Sequence, residues 1–126
     1  MTISEISSTL GSAFSLSPVA LNEWEVKTNA NFKNGEEFKI YLVNEKDTWY
    51  LTDKKATLQY MNDVYDLKAT DVKNCIAAVI KIYGFSIIQG CLRAEVMDEV
   101  QLSTRIFDYI ICIGQLANMY AFFDKP

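Results

Sequence analysis

The 126-residue sequence contains no histidine. This absence excludes Ser-His-Asp and Cys-His nucleophile pairs, histidine-ligated metal sites and the commonest general base near neutral pH. The three cysteines, Cys75, Cys91 and Cys112, form no C-x-x-C motif, so neither a zinc site nor dithiol exchange is expected. Each lies among apolar residues, which predicts buried, reduced thiols. These absences favour a non-enzymatic protein without a metal or another cofactor.

Clustered positive charge is also missing. The chain has 12 Lys and Arg against 16 Asp and Glu, a net charge of −4, and no basic run. Duplex nucleic acid and anionic membranes, which attract clustered cations, are therefore not expected partners. No stretch reaches the roughly 20 apolar residues that span a bilayer, and the first residues lack the pattern of a secretory signal. We expect one cytoplasmic domain, long enough for a single hydrophobic core.

The apolar residues of the first half mostly follow a period of two. Residues 23–28 alternate between Trp24, Val26, Thr28 and charged neighbours, as in a half-buried strand. Apolar residues resume after Asn34-Gly35, a pair that predicts a tight hairpin turn, and again after the break at 44–47. We therefore predict a meander of three or four antiparallel strands, with residues 14–16 as the optional fourth.

Two shorter helices are predicted from helical periodicity. Thr2 and Glu5 form a capping-box pair for a helix that ends at Gly11. A second helix has apolar residues at spacings of three and four, begins at the capping pair Thr70-Asp71 and ends at Gly84.

A long final helix is predicted from Asp98, with Gln101 at the capping-box position, to about Phe122. Its predicted core stripe consists of Leu102, Ile106, Tyr109, Ile113, Leu116 and Tyr120. Three further apolar residues lie off that stripe and form a candidate self-association surface: Phe107, Ile111 and Met119. A helix that is apolar on more than one face is either central to the fold or an association surface, so a homodimer is one hypothesis.

The order of elements predicts an α+β fold in a single domain over residues 1–126. Gln89-Gly90 adds a second hairpin, which brings the antiparallel sheet to about four to six strands. The helices Thr70 to Tyr83 and Asp98 to Phe122 are expected to cover its apolar face, with a short helix at the N-terminus. Both prolines, Pro18 and Pro126, fall outside these elements.

Two short motifs carry a family resemblance. Tyr50-Leu51-Thr52-Asp53 leads from a strand into a helix, and Tyr83-Gly84 precedes the second hairpin. In these motifs and in its order of elements, the chain resembles a family of small bacterial and phage proteins catalogued as domain of unknown function 1828. The resemblance implies the same fold and no assigned activity. That family commonly has a glycine two residues after the aspartate and a threonine two further on; this sequence has Lys55, which bears on the turn geometry, and Thr57.

Asp53 admits two interpretations. A carboxylate at a strand end could hold a magnesium ion in a nuclease, with Lys54, Lys55 and Asp63 as nearby companions. An aspartate at a strand-to-helix junction more often caps the helix by accepting hydrogen bonds from its first amides. Because the spacing matches no metal motif, capping is the prediction and a metal-dependent nuclease the alternative.

Aromatic residues supply candidate binding groups. Alternation places Tyr41 and Tyr50 together on the outer face of the sheet, where two rings could stack on a single-stranded nucleic acid. Few basic residues accompany them, whereas tyrosine and tryptophan bury large areas at protein interfaces without needing charge. A protein partner, contacted by Tyr41, Tyr50 and, if exposed, Trp49, is therefore the preferred interpretation, and a single-stranded nucleic acid is the alternative.

Acidic groups complete the candidate sites. Glu36-Glu37 and the acidic residues within 63–71 and 95–99 could imitate phosphates or simply form a solvated surface. The family resemblance includes phage proteins, and single-domain phage proteins of this size often block a host machine. It therefore implies an inhibitor of a bacterial defence system, for example one that binds a CRISPR effector subunit. The alternative is an accessory domain that binds a neighbouring protein.

Overall fold

The computed structural model describes residues 2–10 and 14–119. Four helices and six strands follow one another in this part of the chain: α1 Ile3–Leu10, β1 Ser15–Ala20, β2 Glu23–Lys27, β3 Tyr41–Glu45, β4 Thr48–Thr52, α2 Ala56–Asn62, α3 Thr70–Ile82, β5 Ser86–Ile88, β6 Cys91–Val96 and α4 Glu99–Ala117. The predicted α+β class and the short N-terminal helix are confirmed.

The six strands form one antiparallel sheet in the order β1-β2-β3-β4-β6-β5. Its register separates two faces. One cross-strand row consists of Trp24, Leu42, Leu51 and Ala94. The adjacent row consists of Glu25, Tyr41, Thr52 and Arg93. Because successive side chains on a strand point to opposite faces, the first row faces the core and the second faces away from it.

Helix α4 lies at the centre of the helical layer and contacts α1, α2, α3 and β6. The predicted core stripe is confirmed over the described residues: Leu102, Ile106, Tyr109, Ile113 and Leu116 are at most 1% exposed. The sixth predicted member, Tyr120, and the predicted end at Phe122 lie outside the described residues. The Tyr109 hydroxyl donates a 2.6 Å hydrogen bond to the carbonyl oxygen of Leu92, which ties α4 to the sheet.

The capping box at the start of α1 is confirmed. The Thr2 backbone N–H donates to a Glu5 carboxylate oxygen (3.1 Å), and the Glu5 N–H donates to the Thr2 hydroxyl (3.2 Å). The predicted end of this helix, Gly11, lies outside the described residues. At α4, Asp98 is the N-cap, and its carboxylate accepts the Gln101 N–H at 2.9 Å, as predicted.

Helix α3 begins at Thr70, as predicted, but the predicted capping by Thr70-Asp71 is wrong. Ala69 is the N-cap without a side-chain bond, and the Asp71 carboxylate accepts the N–H of the next residue, Val72. The predicted end at Gly84 is confirmed, with φ +71°. The Phe85 N–H bonds to the Ile80 carbonyl and the Gly84 N–H to the Lys81 carbonyl, which is a Schellman motif.

A turn forms at the predicted Asn34-Gly35 pair, where Gly35 has φ +89°, but it lies at the tip of the loop 28–40 rather than directly between two strands of the sheet. Strands β2 and β3 do pair, but the loop between them folds onto α2. Phe32 is 6% exposed and stacks on Tyr60 with ring centroids 4.2 Å apart. Packing of this aromatic pair stabilises the loop 28–40.

Pro18 corrects a further prediction, because it lies within β1. Strand β1 is at the edge of the sheet, where a missing N–H interrupts no inner ladder, and the β1–β2 register shifts between Pro18 and Ala20. None of the helices in the described part of the chain is both long and apolar enough to cross a membrane.

Candidate functional site

The sheet surface turned away from the helices brings together Tyr41 and Tyr50, as alternation predicted. We call it the outer sheet face and define it by Glu23, Glu25, Tyr41, Val43, Tyr50, Thr52, Arg93 and Glu95. On it Tyr50 pairs with Val43 of the neighbouring strand, and Tyr41 pairs with Thr52. The two rings therefore sit at adjacent register positions of β3 and β4.

A cation covers each of the two tyrosine rings. The Lys54 ammonium nitrogen is 4.2 Å from the Tyr41 ring centroid, and it forms a 2.7 Å ion pair with Glu23. The Arg93 guanidinium carbon is 3.7 Å from the Tyr50 ring centroid, and its Nε donates to the Glu95 carboxylate at 2.9 Å. Each tyrosine thus lies under a cation that is itself held by a glutamate.

Further ion pairs extend this pattern along the strands. The Lys27 ammonium lies 3.0 Å from one Glu25 carboxylate oxygen, and Lys39 lies 3.9 Å from the other. The hydrogen bond and the negative charge of Glu25 raise the pKa of Lys27 above its ordinary value. Exposed pairs of this kind contribute little to stability. Their main physical effect is therefore to fix an ordered surface with both signs of charge.

Tyr50 has a polar partner at its hydroxyl as well. This hydroxyl donates a 3.2 Å hydrogen bond to the Glu45 carboxylate. Partial burial, followed by the charge and hydrogen bond of Glu45, raises the pKa of Tyr50, while the nearby Arg93 lowers it. Beneath this polar layer, Val43 and Thr52 are each only 7% exposed.

Asp53 is completely buried and makes the capping interaction predicted for it. Its Oδ2 accepts the Thr57 N–H in the first turn of α2 at 3.0 Å. Its Oδ1 accepts the Lys55 N–H at 3.1 Å and the Leu92 N–H of β6 at 3.0 Å. The carboxylate therefore joins α2, the turn before it and the sheet. The bond to Leu92 connects positions 39 residues apart, and no local pattern predicts it.

The turn after Asp53 forms although this sequence has Lys55 at a position where the family it resembles commonly has glycine. Lys55 has φ +75° and Lys54 has φ +51°, both in the left-handed region. That conformation costs a side-chain-bearing residue about 1 kcal/mol relative to glycine. The hydrogen bond from the Lys55 N–H to Asp53 helps to hold this turn.

The carboxylate of Asp53 also influences two buried groups on α4. Burial, and secondarily the charge of Asp53, raises the pKa of Tyr109 well above its ordinary value. The same two causes, in the same order, raise the pKa of the Cys112 thiol to about 12. The predicted burial holds for Cys112, whereas Cys75 and Cys91 are only half-buried.

The predicted partner-binding residues do not all share one surface. Glu36 and Glu37 are exposed in the loop 28–40, where they line a shallow pocket of about 240 Å³ next to α2. Lys39 lines the same pocket and also contacts Glu25, so the pocket borders the outer sheet face.

Trp49 corrects the prediction of an exposed aromatic anchor, because it is 8% exposed and faces the core with Leu51. It stacks on Trp24 with ring centroids 5.6 Å apart. It also lines a surface pocket of about 420 Å³, together with Asp47 and Met97.

The candidate self-association residues are divided as well. Phe107 and Ile111 are 52% and 49% exposed, as an association surface requires. Met119 is 2% exposed, so its inclusion was wrong. Helix α4 ends at Ala117, and the following turn directs Met119 into the core, where helical projection no longer applies.

Sequence patterns missed Lys54 and Arg93, the two cations that cover the tyrosines. The alternation of Arg93 with Leu92 and Ala94 is a signal that could have assigned it to the outer face of a strand. The pairing of β6 with β4, which brings it to Tyr50, has no local signal.

Within residues 2–10 and 14–119, no group of three or more Cys, Asp or Glu side chains is arranged to hold a metal ion. A comparison with protein-family models, curated proteins and solved structures finds no match. The resemblance described from the sequence motifs therefore stays a prediction.

Proposed function

We propose that the protein is a non-enzymatic binding module whose outer sheet face contacts another protein. The observation that carries the proposal is the pair Tyr41 and Tyr50, each under a cation and surrounded by glutamates. Amphipathic aromatic rings beside arginine are the side chains that contribute most to protein interfaces.

The charge of this face favours a protein over a nucleic acid. The cations on and beside it, Arg93, Lys27, Lys39 and Lys54, are balanced by its glutamates at 23, 25 and 95. A nucleobase that stacked on either tyrosine would have to displace the cation above it, and the phosphates would meet the glutamates. A protein surface with both signs of charge can exchange ion pairs with this network instead.

A more specific proposal follows from the family resemblance. The partner would be a subunit of a bacterial defence system, such as a CRISPR effector, and binding would inhibit it. Glu36 and Glu37, next to the outer sheet face, would then approach a basic nucleic-acid channel of that partner.

Affinity capture from the native host tests the binding surface. The wild-type chain is compared with a Tyr41→Ala/Tyr50→Ala variant and with a control pair, Lys81→Ala/Ile82→Ala, exposed on α3. Circular dichroism and thermal melting of all three show whether each is folded. We expect the tyrosine variant to lose a specific protein that the control retains, because the lost rings are the proposed anchors.

Direct assays separate the alternatives. A captured defence subunit whose nuclease activity is inhibited by the wild-type chain, and not by a Glu36→Lys/Glu37→Lys variant, supports the specific proposal. Equal capture by the wild type and the tyrosine variant contradicts the proposed surface. Salt-sensitive retention on single-stranded RNA, lost in the tyrosine variant, would favour the nucleic-acid alternative.

A further inference from the structure

Strand β5 lies at one edge of the sheet, so only one side of its backbone is paired with another strand. The two-residue turn Gln89-Gly90 joins Ile88 to Cys91, and the residues that flank such a turn exchange both of their backbone hydrogen bonds. The next pair in an antiparallel ladder, here Ile87 and Leu92, is not hydrogen-bonded. The N–H and C=O groups of Ile87 therefore point away from β6, toward the free edge of the sheet.

The hydrogen bonds of Leu92 agree with this alternation. Its N–H donates to the Asp53 carboxylate at 3.0 Å, and its carbonyl oxygen accepts the Tyr109 hydroxyl at 2.6 Å. Both backbone groups of Leu92 are thus bonded to elements other than β5. The corresponding groups of Ile87 have no strand partner within residues 2–10 and 14–119. An edge strand with unpaired groups of this kind can pair with an extended segment of another chain.

An apolar cleft of about 250 Å³ opens beside this edge strand. The side chain of Ile87 lines it, together with residues of α2, α3 and the segment between them: Leu58, Leu67, Lys73, Ile76, Ala77 and Ile80. Among these described lining residues, Lys73 alone is charged. Lys73 is exposed and forms no ion pair with any residue in the described part of the chain. The cleft therefore combines apolar walls with one available cation.

We propose that β5 and this cleft bind an extended segment of another protein, which joins the sheet as an additional strand next to β5. The residue opposite Ile87 has its side chain on the same face as the Ile87 side chain, so an apolar residue there enters the cleft. A residue two positions away shares that face, about 7 Å along the added strand. The cleft extends roughly 10 Å along α3 from Ile80 to Lys73, so an acidic residue at that position reaches the Lys73 ammonium.

Three features of this edge select the occupant. The unpaired N–H and C=O groups of Ile87 select a peptide backbone, the cleft selects an apolar side chain, and Lys73 selects a carboxylate. Strand β5 of a second copy brings no carboxylate, because its sequence Ser86–Ile88 contains no acidic residue. One anchored side chain and two backbone hydrogen bonds favour a transient complex, with a dissociation constant of about 1–100 µM. The binding site is separate from the outer sheet face and does not depend on the function proposed for that face.

Selection from a library of random peptides displayed on phage, with the full chain as the target, tests the predicted ligand chemistry. We expect the selected peptides to share an apolar residue with an acidic residue two positions away. One selected peptide, synthesised with a fluorescein label, then serves as the probe whose binding is measured by fluorescence polarisation. Selection of no peptide, or of peptides without this pattern, overturns the proposal.

Paired variants of α3 locate the binding site of this probe. Ala77→Phe fills the cleft, and Ala78→Phe makes the same change at an exposed residue that does not line it. Lys73→Glu reverses the charge of the cleft, and Lys81→Glu is its exposed control on the same helix. We expect Ala77→Phe to weaken binding about tenfold or more and Lys73→Glu about fivefold, with both controls close to wild type. Equal binding by Ala77→Phe and Ala78→Phe overturns the proposal.

Amide hydrogen exchange tests strand addition itself. The Ile87 N–H should exchange more slowly when the peptide probe is bound, because it then donates to the added strand. The Ile88 N–H already bonds to β6 and is the internal control. Decanoate, an apolar acid without a peptide backbone, tests whether the cleft instead takes a small molecule. Peptide binding without protection of Ile87, binding of decanoate but of no peptide, or self-association that Ale77→Phe abolishes, each overturns the proposal.

Discussion

The buried carboxylate of Asp53 is a polar support of this fold that joins three separate backbone segments. Asp53→Ala removes an acceptor from three backbone N–H groups, of Lys55, Thr57 and Leu92. The hydrogen bonds to Thr57 and Leu92 are buried, so water cannot readily replace the carboxylate there.

The cost follows from the hydrogen bonds that are lost. A buried donor left without an acceptor costs about 1–3 kcal/mol. The two buried donors, the N–H groups of Thr57 and Leu92, therefore give about 4 kcal/mol for Asp53→Ala at about 2 kcal/mol each. Asp53→Asn keeps Oδ1 for two of the amides and points an NH₂ group at the third, the N–H of Thr57. We therefore expect Asp53→Asn to lower the free energy of unfolding by about 2 kcal/mol. The effect should be concentrated in α2, because Thr57 lies in its first turn.

Urea unfolding, monitored by circular dichroism and by fluorescence of the stacked Trp24 and Trp49, measures these values. For Asp53→Ala the midpoint should fall by about 2 M, given a typical slope of about 2 kcal/mol per M. Asp98→Ala is the matched control, because this half-buried N-cap accepts one amide through an exposed hydrogen bond, and its loss should cost about 1 kcal/mol. A loss of stability in Asp53→Ala no larger than that in Asp98→Ala would refute the structural role assigned to the buried carboxylate.

Three further predictions follow from the core and its titratable groups. Ile106→Asp should abolish soluble expression, since an unpaired buried charge costs several kcal/mol out of a total of about 5–15 kcal/mol; a normally melting variant would show that the stripe is not core. At about pH 8 a thiol reagent should label the half-buried Cys75 and Cys91 in the folded protein, and Cys112 only after unfolding. The reason is that the Cys112 pKa of about 12 leaves almost no thiolate in the folded state. Rapid labelling of all three cysteines in the folded protein would contradict the burial of Cys112. The free energy of unfolding should decline above about pH 9, because the raised pKa values of Cys112 and Tyr109 mean that the folded state holds their protons more tightly than the unfolded chain does. The decline should reach up to about 1.4 kcal/mol per pH unit for each group. Urea midpoints that stay constant between about pH 8 and 11 would contradict this prediction.

Local sequence patterns predicted the elements that local interactions determine. Alternation around Trp24 identified β2, and the reciprocal bonds of Thr2 and Glu5 fixed the start of α1. Gln89-Gly90 closes a hairpin because both residues adopt positive φ, 53° and 82°. In each case the residues that form the structure are neighbours in the chain.

Predictions failed where a distant contact determines the outcome. The turn at Asn34-Gly35 is held by its own hydrogen bonds, but the extent of the loop 28–40 depends on Phe32 packing against Tyr60 of α2, which no local pattern predicts. Strand β1 contains a proline and lacks alternation, so its strand conformation depends on pairing with β2.

The candidate site shows the same division. Tyr41 and Tyr50 were placed correctly because alternation assigns a face to each. The cations above them come from a turn after β4 and from β6, which a local pattern does not connect to the rings. Trp49 is an anchor in the sequence-based prediction only if it is exposed, and its alternation with Leu51 already indicates the core.

Site-specific photocrosslinking tests most directly that the outer sheet face is the binding surface. A photoreactive phenylalanine derivative replaces Tyr50 in one variant and the exposed Ile82 of α3 in another, and both are expressed in the native host. The proposal predicts a discrete crosslinked protein at position 50 that is absent at position 82 and is competed by the unlabelled wild-type chain. A crosslink at position 82 alone, or no competed product at position 50, would contradict it.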